Sequence, residues 1–315
     1  MKLLFILDPL ASLKTYKDTS VAIMREAAAQ GHSLYICEQH DVFLREALVK
    51  VNAKKFQFTN SVNWYLLDEP EEVLPKDFDA ILMRKDPPFD SEYLYSTYLL
   101  ELAVQQGALV INNPDAVRSW NEKLSVAKFP QFAPDFLVTS NNDLIREFLA
   151  KHKDIVVKPL DGMGGSSVFR ISQSDPNINV ILETITKFET QTIMAQRYLP
   201  EIKQGDKRII VINGEPLPYV LARIPKTGET RGNLAAGGTG VAQPLTPRDL
   251  EIAMAIGETL KQEGLFLVGL DVIGDYLTEI NVTSPTGMVE IAAQTSCNPA
   301  QIFVHALEAI RVNTD

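Results

Sequence analysis

KPLDGMGGSSVFR, residues 158–170, joins two expected strands through a glycine turn. The first strand, expected over residues 155–158, is apolar and ends on Lys158. The turn Asp161-Gly162-Met163-Gly164-Gly165 follows at once, and the second strand is expected over 167–171. Glycines carry no Cβ, so backbone N–H groups in such a turn can approach a phosphate closely. Lys158 adds a point charge for the same anion. By itself the segment is also what a plain hairpin turn beside a surface lysine would look like. It is neither G-x-x-x-x-G-K-[ST] nor G-x-G-x-x-G. Its neighbours on both sides have to decide.

Around it, residues 121–200 read as a small α+β unit of mixed strands. Helices are expected at 121–128, 141–151 and 178–187, and strands at 136–139 and 192–197. Residues 200–205 read as a linker. Beyond it, strands at 208–212 and 217–222 flank the turn Asn213-Gly214. A helix at 246–263 starts with a cap at Thr246 and Pro247 at its first position. A hairpin of strands at 266–273 and 277–282 and a helix at 299–312 complete residues 201–315. Residues 1–120 alternate strand and helix at βαβ spacing: strands at 3–7, 34–37, 80–83 and 108–111, helices at 18–30 and 91–106. They form an open parallel α/β domain, Rossmann-like in layout. Residues 41–76 give a weaker pattern, with Trp64 and Tyr65 marking one more strand.

The chain has 315 residues, 45% of them hydrophobic, which supports two or three domain-sized cores. A formal charge of −10 disfavours nucleic acid and anionic membrane as partners. The two cysteines, Cys37 and Cys297, are too few for a disulfide scaffold and indicate a reducing compartment. No signal peptide or membrane-length apolar run is visible, so a cytoplasmic protein is expected. The four histidines are scattered at no metal-ligand spacing, and no G-x-S-x-G elbow occurs. Zinc and serine-hydrolase chemistries are disfavoured.

Three further segments carry chemistry. Glu279 and Asn281 lie two apart on one strand and share a face; with Asp271 they offer hard oxygen ligands suited to Mg²⁺. A two-residue turn at Gly274-Asp275 would turn Asp271 away from Glu279. A shared site therefore requires an odd-numbered loop or a bulge around 274–276. The loop RIPKTGETRGNLAAGGTG, residues 223–240, is rich in glycine and lacks large apolar anchors. This suits a mobile lid over phosphates, with Arg231 for charge and Asn233 for hydrogen bonding. Arg84-Lys85-Asp86-Pro87-Pro88 follows a parallel strand at its carboxyl edge, where ligands of open sheets bind, and suits a carboxylate substrate.

Together these segments resemble the ATP-grasp family, and within it the bacterial glutathione synthetases. The matching stretches are MRKDPPFD (83–90), NEK (121–123), KPLDGMGGSSVFR (158–170), GDKRI (205–209), ARIPKTGETRGNLAAGGTG (222–240), and VGLDVIG with TEINVTSPTG (268–287). They run in the expected order across nearly the whole chain. The resemblance implies an ATP-grasp fold behind the N-terminal α/β domain. Its units would be residues 1–120, 121–200 as a central lid subdomain, and 201–315 with a mobile loop at 224–240.

The same resemblance implies the roles of individual residues. Lys123, Lys158 and the turn glycines Gly162, Gly164 and Gly165 would hold nucleotide phosphates. Gln196, Arg197, Tyr198 and Leu199 would line the adenine pocket, with Asp206 near the ribose. Arg208 and Arg223 would address the reacting phosphate and carboxylate, with Arg231 and Asn233 on the lid. Asp271, Glu279 and Asn281 would hold two Mg²⁺ ions, with Mn²⁺ as the alternative. Arg84, Lys85, Asp86, Ser284, Pro285 and Thr286 would bind substrate. The implied reaction joins γ-glutamylcysteine to glycine with ATP as co-substrate, through an acyl phosphate, in a homotetramer. One departure stands out: Met288-Val289 precede Glu290-Ile291 where the family commonly has a basic residue. Another acid–amine pair, or a nucleotide-binding regulator without turnover, are the alternatives.

Overall fold

The computed structural model describes residues 1–60, 63–229, 231–234 and 237–312. Thr230, Ala235 and Ala236 of the expected lid lie outside the described residues.

The N-terminal layer runs β1 (Lys2–Leu7), α1 (Thr19–Ala29), β2 (Ser33–Glu38), β3 (Val42–Arg45), β4 (Leu48–Phe58), β5 (Tyr65–Leu67), β6 (Glu71–Val73), β7 (Ala80–Met83), α2 (Ser91–Gln105), β8 (Val110–Ile111) and α3 (Pro114–Ser119). The unbroken apolar run of β1 is buried on both faces and sits between β2 and β7, parallel to each. Asp18 caps α1 by accepting from the Val21 amide at 2.9 Å, and Gly31, at φ +83°, ends it. The expected parallel arrangement holds for β2, β1, β7 and β8. It does not hold for the whole domain. β4 joins the edge at β2 antiparallel, through Leu34 opposite Phe56, and itself carries β3, β5 and β6. The layer is a mixed sheet, because residues 42–73 return through tight connections instead of helical crossovers.

The central unit begins with a 3-10 turn at Leu124–Lys128, where a helix over 121–128 was expected. It continues through β9 (Phe136–Thr139), α4 (Asn142–His152), β10 (Asp154–Pro159), β11 (Phe169–Ser172), α5 (Ile178–Ile185) and β12 (Ile193–Arg197). Its sheet, ordered β11-β10-β12-β9, is antiparallel throughout, not mixed. Ile145, Ile155, Val157, Ile171 and Leu182 build a small core of its own behind it.

The last unit follows a 3-10 turn at Pro200–Gln204 that occupies the expected linker. It comprises β13 (Asp206–Ile212), β14 (Glu215–Ile224), β15 (Thr239–Pro244), α6 (Pro247–Gln262), β16 (Leu267–Ile273), β17 (Tyr276–Asn281), α7 (Met288–Gln294) and α8 (Pro299–Val312). The five strands form an antiparallel sheet ordered β15-β14-β13-β16-β17. Phe303, Val304 and Leu307 of α8 share an apolar cluster with Ile23, Met24 and Ala27 of α1, which ties the last unit to the first. Buried Asn112 adds polar stitches: its Nδ2 donates to Leu267 O at 2.9 Å and Val282 O at 2.8 Å, and its Oδ1 accepts from Leu267 N. No helix among the described residues is long and apolar enough to cross a membrane.

Candidate active site

The two antiparallel sheets face one another across a cleft of about 590 Å³ that continues toward the carboxyl ends of β1 and β7. Most of the residues singled out from the sequence line it.

On the central side, Lys158 is buried at the end of β10 and crosses the cleft. Its Nζ donates to Thr278 O and to Glu279 Oε1, each at 3.2 Å. Lys123 is also buried and donates to Gly162 O at 2.6 Å. Gly164 and Gly165 have φ of +62° and +79°, conformations open to glycine at little cost. A Cβ on Gly165 would lie 2.7 Å from Asn233 Oδ1, so Asn233 rests directly on the turn. Arg231 Nη1 donates to Gly165 O at 3.3 Å, and Arg231 pairs with Glu229 at 2.8 Å. At the far end, Val156, Leu199, Ile202 and Ile273 make apolar walls beside Gln196, Arg197 and Tyr198. The Arg170 guanidinium stacks 3.8 Å from the centroid of the Tyr198 ring. Gln196 Nε2 and Asp206 Oδ1 are buried with no hydrogen-bond partner among the described residues.

On the facing sheet, the register of β16 and β17 sets Asp271 opposite Glu279. The required irregularity exists, but its position differs from expectation. Gly274-Asp275 is a two-residue turn, and the extra residue is Thr278, inside β17. Its hydroxyl donates to Asp271 O at 3.1 Å, so the bulge's loose carbonyl is satisfied from within the bulge. Asn281, two residues beyond Glu279, donates to Asp271 Oδ2 at 3.2 Å.

Asp271 does not line the cleft; it lies beneath two arginines. Arg208 grips it through Nε and, at 2.9 Å, through Nη2, while Arg223 Nη2 reaches its Oδ2 at 2.8 Å. Burial alone would raise the Asp271 carboxyl, but the two guanidiniums hold it well below the usual carboxylate range. Glu279 is likewise held low: Lys123 and Lys158 outweigh its burial. Asp206 goes the other way. Its burial, with Asp271 and Glu279 nearby, prevails over the pull of Arg223 and pushes it up to about 6. Gly269 makes the Arg208 grip possible, since a Cβ there would fall 2.7 Å from Arg208 Cδ and 3.0 Å from Pro285 Cβ.

On the N-terminal side, Arg84 does not reach the cleft. It is buried and donates to Ser20 Oγ at 3.0 Å and Pro285 O at 2.9 Å. Lys85 is paired with Asp8 at 2.7 Å. The basic pair therefore braces the 284–286 turn and the β1 end, while Asp86, Ser284, Pro285 and Thr286 face the cavity. Sequence reasoning passed over Glu122. It is half-buried against the cleft, accepts from Thr283 N and Oγ1, and desolvation pushes its carboxyl up. Its place beside Lys123 in NEK was the only signal. Lys14, Lys17 and Asp18, in the loop after β1, also line the cleft without any motif to mark them.

Solved structures of similar shape include the D-cycloserine synthetase DcsG, with a TM-score of 0.68 at 14% identity over 98% of this chain and 99% of that one. The D-alanyl-alanine synthetase A of Vibrio cholerae gives 0.62 at 14% identity, over 99% of each chain. The ATP-grasp ligase PsnB, solved with a minimal precursor variant, Mg and ADP, gives 0.63 at 16% identity. Two facing antiparallel sheets behind an α/β domain make this chain an ATP-dependent ligase of the ATP-grasp class. The model of the prokaryotic glutathione synthetase N-terminal domain matches residues 1–118, and that of its ATP-grasp domain matches 122–296. The glutathione synthetase of Nitrosomonas europaea is 58% identical over 98% of both chains, and that of Pseudomonas aeruginosa 53% identical over 92% of both. The chain belongs to the prokaryotic glutathione synthetase family.

Proposed function

We propose that the chain joins γ-glutamylcysteine to glycine in the cytoplasm, consuming ATP. The observation that carries this reading is the contact of Lys158 with Glu279 at 3.2 Å. It brings the residue suited to phosphate against the residue suited to metal, across two sheets. The orphaned Gln196 Nε2 and Asp206 Oδ1 at the apolar end support an adenosine there, since buried polar atoms without partners are rare.

The cysteinyl carboxylate of the donor attacks the γ-phosphorus, ADP leaves, and an acyl phosphate forms. The glycine amine then attacks the acyl carbon and phosphate departs. Carboxylate and triphosphate repel, so cations must lie on both. Arg208 and Arg223 serve the reacting carboxylate and phosphoryl oxygens, and Lys123, Lys158 and the 162–165 turn serve the remaining phosphates. Asp271, Glu279 and Asn281 are oxygen donors that fit Mg²⁺, two ions, with Mn²⁺ as the alternative. Among the described residues no group of three His, Cys, Asp or Glu side chains could hold a metal, so phosphate oxygens or water would supply the remaining ligands. Bound there, the ions supply neutralising charge. Arg231 and Asn233 close the lid on the glycine turn and keep water from the acyl phosphate. Ser284, Pro285 and Thr286 help position the acceptor substrate. Residues 1–120, 121–200 and 201–315 act as the three moving units, in a homotetramer.

The test is phosphate release with γ-glutamylcysteine, with and without glycine. Glycine-stimulated release with stoichiometric tripeptide by mass spectrometry is expected. Well-folded protein that binds nucleotide yet gives no such release overturns the reading.

A further inference from the structure

A second cavity, of about 90 Å³, lies behind the glycine turn where the three units meet. It shares Pro87, Glu122, Gly162 and Thr283 with the main cleft, so those residues form the wall between the two. Val117, Trp120 and Leu160 give it apolar sides. Asp161, exposed to solvent, and half-buried Arg118 also line it. Arg118 Nη2 pairs with Glu101 at 2.8 Å and with Asp115, but Nη1 is buried with no hydrogen-bond partner among the described residues. A buried guanidinium nitrogen without an acceptor is uncommon, and a carboxylate suits it. Glu122 accepts from Thr283 N and Oγ1 through Oε1, and lies close enough to Glu279 for their charges to act on each other. At roughly 10–15 Å³ for each water-sized group, the cavity holds about six to eight of them. That admits a glycine and excludes a dipeptide or a nucleotide.

We infer that this cavity is the passage by which the acceptor amino acid reaches the acyl phosphate. The inference rests on the proposed reaction and gives the route of its second substrate. Arg231 and Asn233 cover the glycine turn at Gly165. With the lid so placed, the acyl phosphate is shielded from that side, as a species that water destroys must be. The amine that consumes it is small and attacks last. A side passage of its own size lets it in without the lid reopening. Arg118 Nη1 takes the carboxylate of the incoming zwitterion, and Glu122 and Asp161 take its ammonium. Glu122, held by Thr283, stands in the common wall and is the gate between cavity and cleft. Thr283 adjoins the 284–286 turn, where the acceptor is proposed to sit.

Steady-state kinetics on the full chain, with products identified by mass spectrometry, tests the passage. Hydroxylamine serves as a second acceptor. Its nitrogen attacks the acyl carbon, phosphate leaves and a hydroxamate forms, with no carboxylate for Arg118 to meet. Arg118→Met should lower kcat/KM for glycine at least about tenfold, the scale of one lost charged hydrogen bond, and leave hydroxylamine use unchanged. Arg118→Lys should recover part of the loss. Val117 lines this cavity and not the cleft. Val117→Phe fills the cavity and should lower kcat/KM for glycine by as much or more, and for hydroxylamine by less. ADP formed from ATP and γ-glutamylcysteine before an acceptor is added should match wild type in every variant. Nucleotide affinity by calorimetry should match as well, which shows that each variant is folded. Unchanged glycine use in Arg118→Met or Val117→Phe, or an equal loss with both acceptors in Arg118→Met, overturns the passage. Failure of the proposed reaction shows separately, as absent glycine-dependent phosphate release by wild type.

Discussion

Gly269→Ala tests whether Arg208 is held in one place by its surroundings. A Cβ at 269 would stand 2.7 Å from Arg208 Cδ, 3.0 Å from its Nε and 3.0 Å from Pro285 Cβ. Ordinary contact begins at 3.4 Å, so Arg208 would have to retreat by about 0.7 Å. The retreat cannot be absorbed at the end of a flexible chain. Cδ is bonded to Nε, and Nε is tied to Asp271. Overpacking of this kind costs about 1–3 kcal/mol, and loosening a buried ion pair adds to it. A misplacement approaching 1 Å in a group proposed to meet the transferring phosphoryl costs up to about 100-fold in rate. The variant should therefore lose about 2 kcal/mol in urea unfolding and 10- to 100-fold in kcat. Its KM for ATP should change little, because the proposed adenine end lies on the central sheet. Wild-type kcat in a variant of wild-type stability would refute the placement of Arg208. A rise in KM for ATP with kcat intact would move Arg208 from the reacting centre to nucleotide binding.

Three other outcomes follow from the same geometry. Gly165→Ala forces a side chain into φ +79° and 2.7 Å from Asn233 Oδ1, so the lid should close poorly; phosphate release without glycine should rise relative to ligation, and an unchanged ratio would count against the lid. Gly257→Ala sets a Cβ 2.1 Å from the Gly214 carbonyl, backbone against backbone, and should cost about 2–4 kcal/mol by urea unfolding, since neither α6 nor the β13–β14 turn can give way alone; a loss under 1 kcal/mol would disprove that. Asp206 keeps its proton to about 6 when folded and to 3.8 when unfolded, so the folded state binds the extra proton in that window and wild type loses stability as pH rises through it. Asp206→Asn removes the slope and should gain roughly 3 kcal/mol relative to wild type between about pH 4 and pH 7, by urea unfolding at both; a relative loss would reverse the assignment.

Much of this was legible where local chemistry and fold agree. The caps at Asp18 and Thr246, the stops at Gly31 and Gly107, and the buried runs of β1 and β7 declare themselves within a few residues. The register of β16 with β17 was legible in part: two carboxylates can share a site only if a residue is added, but the added residue is Thr278 and not one at the 274–276 turn. The antiparallel edge at 42–73 was less visible. Val49, Val51 and Ala53 do alternate inward along β4, but Phe56 follows out of step, and which partner strand they meet is a long-range matter. Asn113-Pro114 reads as a turn, yet Asn113 caps a helix by accepting from the amides of Asp115 and Ala116. Arg84 shows the limit of motif reading. Its spacing marks it as important, but only packing reveals that it braces Pro285 and does not face a ligand.

The charge arrangement explains how a chain of formal charge −10 can accept a triphosphate. Much of the positive charge between the two sheets is already paired. Lys158 is bound to Glu279, and Arg208 and Arg223 to Asp271 and Asp206. These three cations thus meet three carboxylates, a balance that avoids much of the several kcal/mol of an uncompensated buried ion, while buried Lys123 rests on the Gly162 carbonyl. On the proposed function, nucleotide binding would work as an exchange of partners: phosphates would take the lysine and arginines, and the cations that accompany the phosphates would take the carboxylates released. Such an exchange conserves the number of ion pairs, so affinity rests on the difference between two well-matched sets and not on their sum. It also requires the partners to stay aligned with nothing bound. This is why Gly269, the Thr278 bulge and the Asn281 contact, none of which carries a charge, hold the charged groups in register.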